Sequence, residues 1–396
     1  MRILLIAARH HIVLAAKQLD FEVVLFENKD RLLKKTFELS DETHIIDWND
    51  HKFVLSLAQA LHREKPFDAV FAFGEMGITP AAIIKEELNI KGNPLYPVNH
   101  SKNKGKMRKL LNKNNISPVK FAECSGSENI KSTIKEMGFP SIIKPISGTA
   151  STRVQKINNY QDVDEFLSHY ETSEIYEVII EEYLEGREFS VETLSFDGKH
   201  LVLGITEKFT TGEPNYIETG HIFPATSLTG NEEDSIVNVT IQLLNCLEHQ
   251  NGPGHTEIKL TSNGPKVIET HTRPGGDNIT DLIRNSLGVD VFYETFKHIK
   301  GLQPTSNIEP FKFSGICFTL CSSGVVTNIS GKELIEKHYN VEKLDLQVSV
   351  GEEISNATDS ISRHGYTLFT SHSREKAREM LKFINENLNI KVRENK

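Results

Sequence analysis

Cysteine is scarce in this chain. Cys124, Cys246, Cys317 and Cys321 are four in 396 residues, too few at that length for a disulfide framework, and the pattern fits a reducing compartment. Cys317 and Cys321 share the alternate face of an expected strand. No further Cys or His stands at a spacing that would complete a zinc site, so they read as small buried hydrophobes. Long apolar runs are missing too: none approaches the ~20 residues that a membrane span needs. The apolar start at residues 3–8 is cut by Arg9-His10-His11 before it reaches the ~7–15 residues of a signal-peptide core. It reads as a first buried strand, and the protein is expected in the cytoplasm, away from membranes. Positive charge is in deficit. A net charge of −9, with one dense basic run at residues 102–109, argues against a nucleic-acid partner. Nor does G-x-G-x-x-G follow the first strand; the turn there is Ala7-Ala8-Arg9-His10-His11, which speaks against NAD.

The length exceeds one ordinary core and predicts two or three domains. Apolar periodicity alternates strand and helix up to about residue 97, with strands at 3–8, 22–26, 44–47 and 69–73 and helices at 12–19, 52–63 and 80–88. That is a parallel α/β unit. A turn-rich linker at 91–97 and a helix at 103–112 follow. Residues 119–205 mix strands and helices and include a hairpin at 189–205 turning at Asp197-Gly198. A polar loop is expected from about 206 through Gly212 and Gly220, then a helix at 233–249 and another at 279–287. Beyond 302 the pattern gives strands at 314–319, 346–350 and 366–370 and a terminal helix at 373–387. The fold class is α/β and α+β. Its parts are residues 1–98, residues 99–301 with a subdomain at about 119–205, and a small mixed segment at 302–396 packing on the core.

The most informative stretch is Val267-Ile268-Glu269-Thr270-His271-Thr272-Arg273-Pro274-Gly275-Gly276. Alternate side chains of a strand share one face, so Glu269, His271 and Arg273 are expected to project together. Upstream, His255-Thr256-Glu257-Ile258-Lys259 is another such strand, and Ser262-Asn263-Gly264 is a hairpin turn. Two carboxylates on neighbouring strands beside an arginine suit a magnesium–polyphosphate site, because hard cations take oxygen ligands and a guanidinium matches phosphate oxygens. Like charges on adjacent strands also cost energy and call for a compensating cation.

Three features precede this pair. Lys104 starts a helix in Asn103-Lys104-Gly105-Lys106-Met107-Arg108. Lys144 ends the strand Ile142-Ile143-Lys144-Pro145, before the small-residue loop Ser147-Gly148-Thr149-Ala150-Ser151-Thr152-Arg153. Then comes Glu181-Glu182-Tyr183-Leu184-Glu185-Gly186-Arg187-Glu188. The lysines are suited to phosphates as point charges, and loop N–H groups and hydroxyls to covering them. Each piece alone has an ordinary explanation: a solvated lysine face, a surface turn, exposed strand-end charges, a solvent-facing hairpin pair.

In this order the pieces resemble the ATP-grasp superfamily over residues 99–288, and residues 1–97 look like its preceding Rossmann-like domain. Gly365-Tyr366-Thr367-Leu368-Phe369 before Ser373-Arg374-Glu375-Lys376-Ala377 is similar to the end of carboxylase-like ATP-grasp enzymes and of L-amino acid ligases. The resemblance implies ATP and Mg²⁺, with Mn²⁺ an alternative. Lys104 and Lys144 would be the nucleotide-phosphate lysines, and Ser147, Gly148 and Ser151 would belong to the phosphate loop. Glu181 would contact the adenine amino group, Tyr183 and Leu184 would give backbone contacts, and Glu188 would bind ribose. Glu257 and Glu269 would be ligands of two Mg²⁺ ions, and Arg273 would hold the transferred phosphate or acyl-phosphate. Two departures stand out. His271 replaces the family's usual Asn and is a poorer ligand for a hard ion, so the expectation is that it orients substrate or phosphate instead, or binds metal more weakly; Gly148 is the loop's lone glycine.

The implied chemistry is carboxylate activation by ATP, followed by attack of an amine, on small-molecule amino acid and amine substrates. Glu218 and His221, in Tyr216-Ile217-Glu218-Thr219-Gly220-His221-Ile222-Phe223-Pro224, are substrate candidates; L-amino acid ligases line their acyl pocket with a similar Gly-His-x-x-Pro segment. Glu75, past a strand's C-terminal end, is another, and Gly275 and Gly276 complete the set. The alternatives are loading of an amino acid onto a carrier-protein thiol, a biotin-carboxylase-like reaction, and a nucleotide-binding regulatory subunit without turnover. A homodimer is left open.

Overall fold

The computed structural model describes residues 1–148, 154–170, 177–213, 216–305 and 308–393. Its first unit is a four-stranded sheet ordered Glu42–Ile45, Glu22–Glu27, Arg2–Ile6, Ala69–Phe71, parallel throughout. Every residue of Arg2–Ile6 is buried, as expected of a parallel strand covered by helices on both faces. Helix Leu95–Lys102 begins inside the stretch expected to be linker: Pro94 sits at its N-cap, and the residues that looked turn-forming start a helix instead.

An eight-stranded antiparallel sheet carries the centre of the molecule. Its order is Gly264–His271, Gly252–Thr261, Arg187–Phe196, Lys199–Thr210, Glu218–Phe223, Phe313–Phe318, Gly365–Ser371, Val341–Leu346. The polar loop expected from about 206 is therefore mostly strand. Lys199–Thr210 runs on past 206, and Glu218–Phe223 pairs with it, because backbone pairing along both edges outweighs the polar composition of the segment. The strand expected at 346–350 lies earlier, at Val341–Leu346, where it pairs with Gly365–Ser371. Cys321 lies beyond the end of Phe313–Phe318, and all four cysteines are free. Burial pushes the Cys317 thiol up to about 12.

Between these units a smaller antiparallel sheet, ordered Phe121–Cys124, Val178–Glu182, Ser141–Pro145, Gln155–Ile157, packs on helices Ser127–Met137 and Tyr160–Tyr170 around its own apolar cluster. By contrast, one continuous core runs from Ile3 and Leu5 through Phe73, Phe292 and Phe296 to Phe223 and Ile316. It locks the parallel sheet onto the large one through helix Val291–Ile299, which apolar spacing did not predict. Among the described residues no helix is long and apolar enough to cross a membrane.

Candidate active site

The hairpin forms as its pattern predicts. Gly264, at φ +89°, supplies the left-handed backbone its turn requires. Glu257 then lies directly opposite Glu269, and His255 opposite His271. A bulge after Glu257 adds local twist at this point. Burial alone would raise both carboxyls, but cations outweigh it. Glu257 meets Lys208 Nζ at 2.7 Å and His255 Nε2 at 3.3 Å, and its pKa is held well below the carboxylate range. Glu269 meets His271 Nε2 at 3.3 Å and Lys104 Nζ at 3.3 Å, and is lowered likewise. The compensation that like charges demand thus comes in part from lysines. His255 is in turn anchored by buried Glu192 at 2.9 Å; despite burial, that carboxylate pushes the imidazole up to about 9.

Do these residues fit a divalent ion? Among the described residues no three His, Cys, Asp or Glu side chains converge into a ready-made cage. Two ionised carboxylates side by side are what Mg²⁺ takes when a polyphosphate supplies other ligands, so the pair fits that role.

On one side of the pair a cavity of about 150 Å³ is lined by Lys104, Lys144, Ser147, Gly148, Glu181, Tyr183, Leu184 and Glu188. The structure brings these expected nucleotide residues together; Ser151, with the rest of 149–153, lies outside the described residues. Lys104 Nζ also donates to the Gly148 carbonyl at 2.8 Å. Glu188 lies between Lys259 at 3.1 Å and Lys208 at 3.6 Å. Buried Glu181 gives one oxygen to Arg108 Nε at 2.7 Å and the other to Lys144 Nζ at 2.6 Å. These two cations overcome the burial penalty and lower its pKa. Each oxygen keeps a second lone pair, so this side chain can still accept from a ligand in the cavity.

On the other side opens a cleft of about 810 Å³, lined by Glu75, Glu218, His221, His271, Arg273, Gly275 and Gly276 among others. Arg273 lies past the strand end and turns its Nε onto Glu75 Oε2 at 2.7 Å. Burial would raise that carboxyl, but Arg273, with His271 and Lys102 behind it, holds it low. A Cβ on Gly275 would meet His255 Nδ1 at 2.7 Å, whereas one on Gly276 would meet nothing: the first glycine admits the close approach of the hairpin and the second leaves the cleft open. Glu218 accepts from Ser360 Oγ and lies 3.6 Å from Lys208. His221 Nε2 is 3.4 Å from Asp277, which also pairs with Arg363.

Sequence reasoning missed Lys208, Arg108, the His255–Glu192 pair and the Asp277–Arg363 pair. For Arg108 a signal existed: it stands four residues after Lys104 and so shares its helix face. Lys208 had none, since its partners Glu188, Glu218 and Glu257 come from three other strands.

Residues 137–281 match the ATP-grasp domain family and residues 13–92 the ATP-grasp N-terminal domain. The chain thus carries an ATP-grasp domain preceded by an ATP-grasp N-terminal domain. Its residues 316–393 match the L-amino acid ligase C-terminal domain 2. It is 24% identical over 281 residues to the carbamoyl phosphate synthase large chain of Caldanaerobacter subterraneus, covering 69% of this chain and 25% of that protein. It is 27% identical over 248 residues to the alanine–anticapsin ligase of Bacillus subtilis, covering 57% of this chain and 52% of that protein. The match thus spans a quarter to a half of these relatives. The crystal structure of the L-amino acid ligase from Bacillus licheniformis superposes with a TM-score of 0.83 at 23% identity, over 99% of this chain and 98% of that one, so the fold is shared along the chain.

Proposed function

We propose that this chain is an ATP-dependent ligase that joins the carboxylate of an amino acid to an amine, by way of an acyl-phosphate, with release of ADP and phosphate. One observation carries the reading: Glu218, Glu257 and Glu269 line both the nucleotide-side cavity and the large cleft, so a phosphate in one and a carboxylate in the other would meet at the ionised ribbon. The names of the relatives, a carbamoyl phosphate synthase and an alanine–anticapsin ligase, support chemistry of this class.

In this reading Lys104 and Lys144 offset phosphate charge, and the loop at Ser147 and Gly148 covers it. Glu257 and Glu269 would hold Mg²⁺, whose chemistry there is to neutralise charge on the phosphate oxygens. A carboxylate oxygen of the first substrate attacks the γ-phosphorus as the bond to ADP breaks. The amine then attacks the acyl carbon and phosphate leaves. Arg273, fixed by Glu75, holds the anionic acyl-phosphate, and His271 orients it. The enzyme chiefly positions its reactants and excludes water from the anhydride. The test is an amino-acid matrix followed by phosphate release and product mass. ADP and phosphate should appear only when a carboxylate and an amine are both present; AMP as the nucleotide product would refute the reading.

A further inference from the structure

The large cleft also reaches the C-terminal edge of the parallel sheet. Three adjacent strands deliver residues there. Glu75 follows Ala69–Phe71, Arg9 follows Arg2–Ile6 and Arg31 follows Glu22–Glu27, and all three line the cleft. Strands in a sheet stand ~4.8 Å apart, so the strand before Arg31 lies about 10 Å from the one before Glu75. Ligands collect in this crevice of open α/β sheets. Its floor is apolar: Ile12, Phe73 and Phe292 are buried, and the rings of Phe73 and Phe292 meet edge to face at 5.1 Å.

The other cations lining the cleft have partners. Lys208 has Glu257, Arg273 has Glu75, Arg284 has Asp281 and Asp290, and Arg363 has Asp277. Arg9 and Arg31 form no ion pair among the described residues; Arg31 lies over the Trp48 ring, 5.5 Å from its centroid, and the Glu27 carboxylate acts on it only at longer range. His11 packs on the Phe292 ring at 5.1 Å; burial and the Arg284 and Arg9 guanidiniums lower its pKa against the pull of Asp281 and Asp290.

Resting on the ligase reading above, we propose that Arg9 and Arg31 form the subsite for an acidic group of the acceptor, so that the acceptor is an amine that also carries a carboxylate or a phosphate. The amine must reach the acyl group held near Arg273 and the carboxylate ribbon, which directs the rest of the acceptor along the apolar floor toward the two unpaired guanidinium forks. Such forks match the oxygens of carboxylates and phosphates.

The test compares matched acceptors on the full chain: alanine against alaninamide, and phosphoethanolamine against ethanolamine, which separates a carboxylate from a phosphate. Wild type should prefer the acid of one pair. Arg9→Gln/Arg31→Gln should lose that preference and raise the acceptor KM about tenfold, the worth of one to two charge-assisted hydrogen bonds, with the KM for ATP unchanged. Lys34→Gln, a solvent-facing control, should behave as wild type. Equal use of acid and amide by wild type, or an unchanged acceptor KM in the double variant, would overturn the subsite. A second readout does not depend on turnover. Trp48 is the chain's one tryptophan, so its emission in the presence of ADP and magnesium reports on Arg31 as each acceptor is titrated. A saturable response to the acids alone, lost in the double variant, supports the subsite even where no product forms and the ligase reading fails. No response overturns it.

Discussion

The two ends of the large cleft follow opposite electrostatic plans. At the ribbon, Glu257 and Glu269 each face a lysine within 3.3 Å, as do Glu188 and Glu181 in the nucleotide cavity beside it. At the mouth, Arg9 and Arg31 form no ion pair among the described residues, and Glu27 acts on Arg31 only at longer range. Groups already paired by the fold hold their geometry before a ligand arrives and need no reorganisation. Groups left unpaired on a rim cost little to the fold, since water solvates them, and they keep their full charge for a ligand. The ribbon is a fixed instrument, and the mouth is where selection of a partner molecule is affordable.

The comparison can be broken most forcefully at the ribbon. Glu269→Gln keeps the shape and removes one ionised ligand; turnover should fall by roughly a thousandfold, equivalent to about 4 kcal/mol, with an unchanged circular dichroism spectrum. Near-full activity would remove the metal assignment. Next, Lys208→Met leaves Glu188, Glu218 and Glu257 facing one another. Loss of a cation from a buried cluster should cost about 3 kcal/mol in denaturant unfolding, whereas Arg31→Gln at the mouth should stay within about 0.5 kcal/mol. Equal effects would erase the distinction drawn between the two ends.

A third measurement uses pH. The folded pKa of Glu181 lies below its ordinary value of 4.5, so its contribution is complete above that value and is lost as pH falls through the folded pKa. Glu181→Gln should therefore be less stable than wild type by about 2 kcal/mol at pH 7, and the gap should close as the solution is acidified below pH 4.5. A gap independent of pH would mean that the Arg108 and Lys144 contacts do not depend on ionisation. The smallest expected effect is at the edge of the nucleotide cavity: Glu188→Ala should raise the KM for ATP about tenfold while lowering kcat less. Equal losses in both would argue against a ribose contact.

Much of the ribbon was legible in the sequence because its information is local. Alternation places Glu269 and His271 on one face, and an Asn-Gly turn sets Glu257 across from Glu269. The three buried strands of the parallel sheet were legible because each is a short apolar run, whereas its edge strand Glu42–Ile45 is polar and partly exposed and was expected two residues later. What escaped is what depends on residues far apart. Arg108 and Glu181 are 73 positions apart, and Arg363 and Asp277 are 86 apart; neither pairing leaves a mark on its own neighbourhood. Glu218–Phe223 read as loop because Glu218 and Gly220 have little strand preference, and its place is fixed by Lys199–Thr210 on one side and Phe313–Phe318 on the other.

That last strand pairing has a consequence for anyone who would treat the nucleotide-handling part as a portable cassette. The backbone of Phe313–Phe318 zips directly onto Glu218–Phe223, and Ser360 and Arg363 grip Glu218 and Asp277 from the far side. Excising the chain beyond residue 312 would strip a seam of hydrogen bonds and turn the cleft's inner wall out to water. Chimaeras exchanging donor or acceptor preference between such enzymes should therefore take their crossover points outside this seam, or carry both of its sides together.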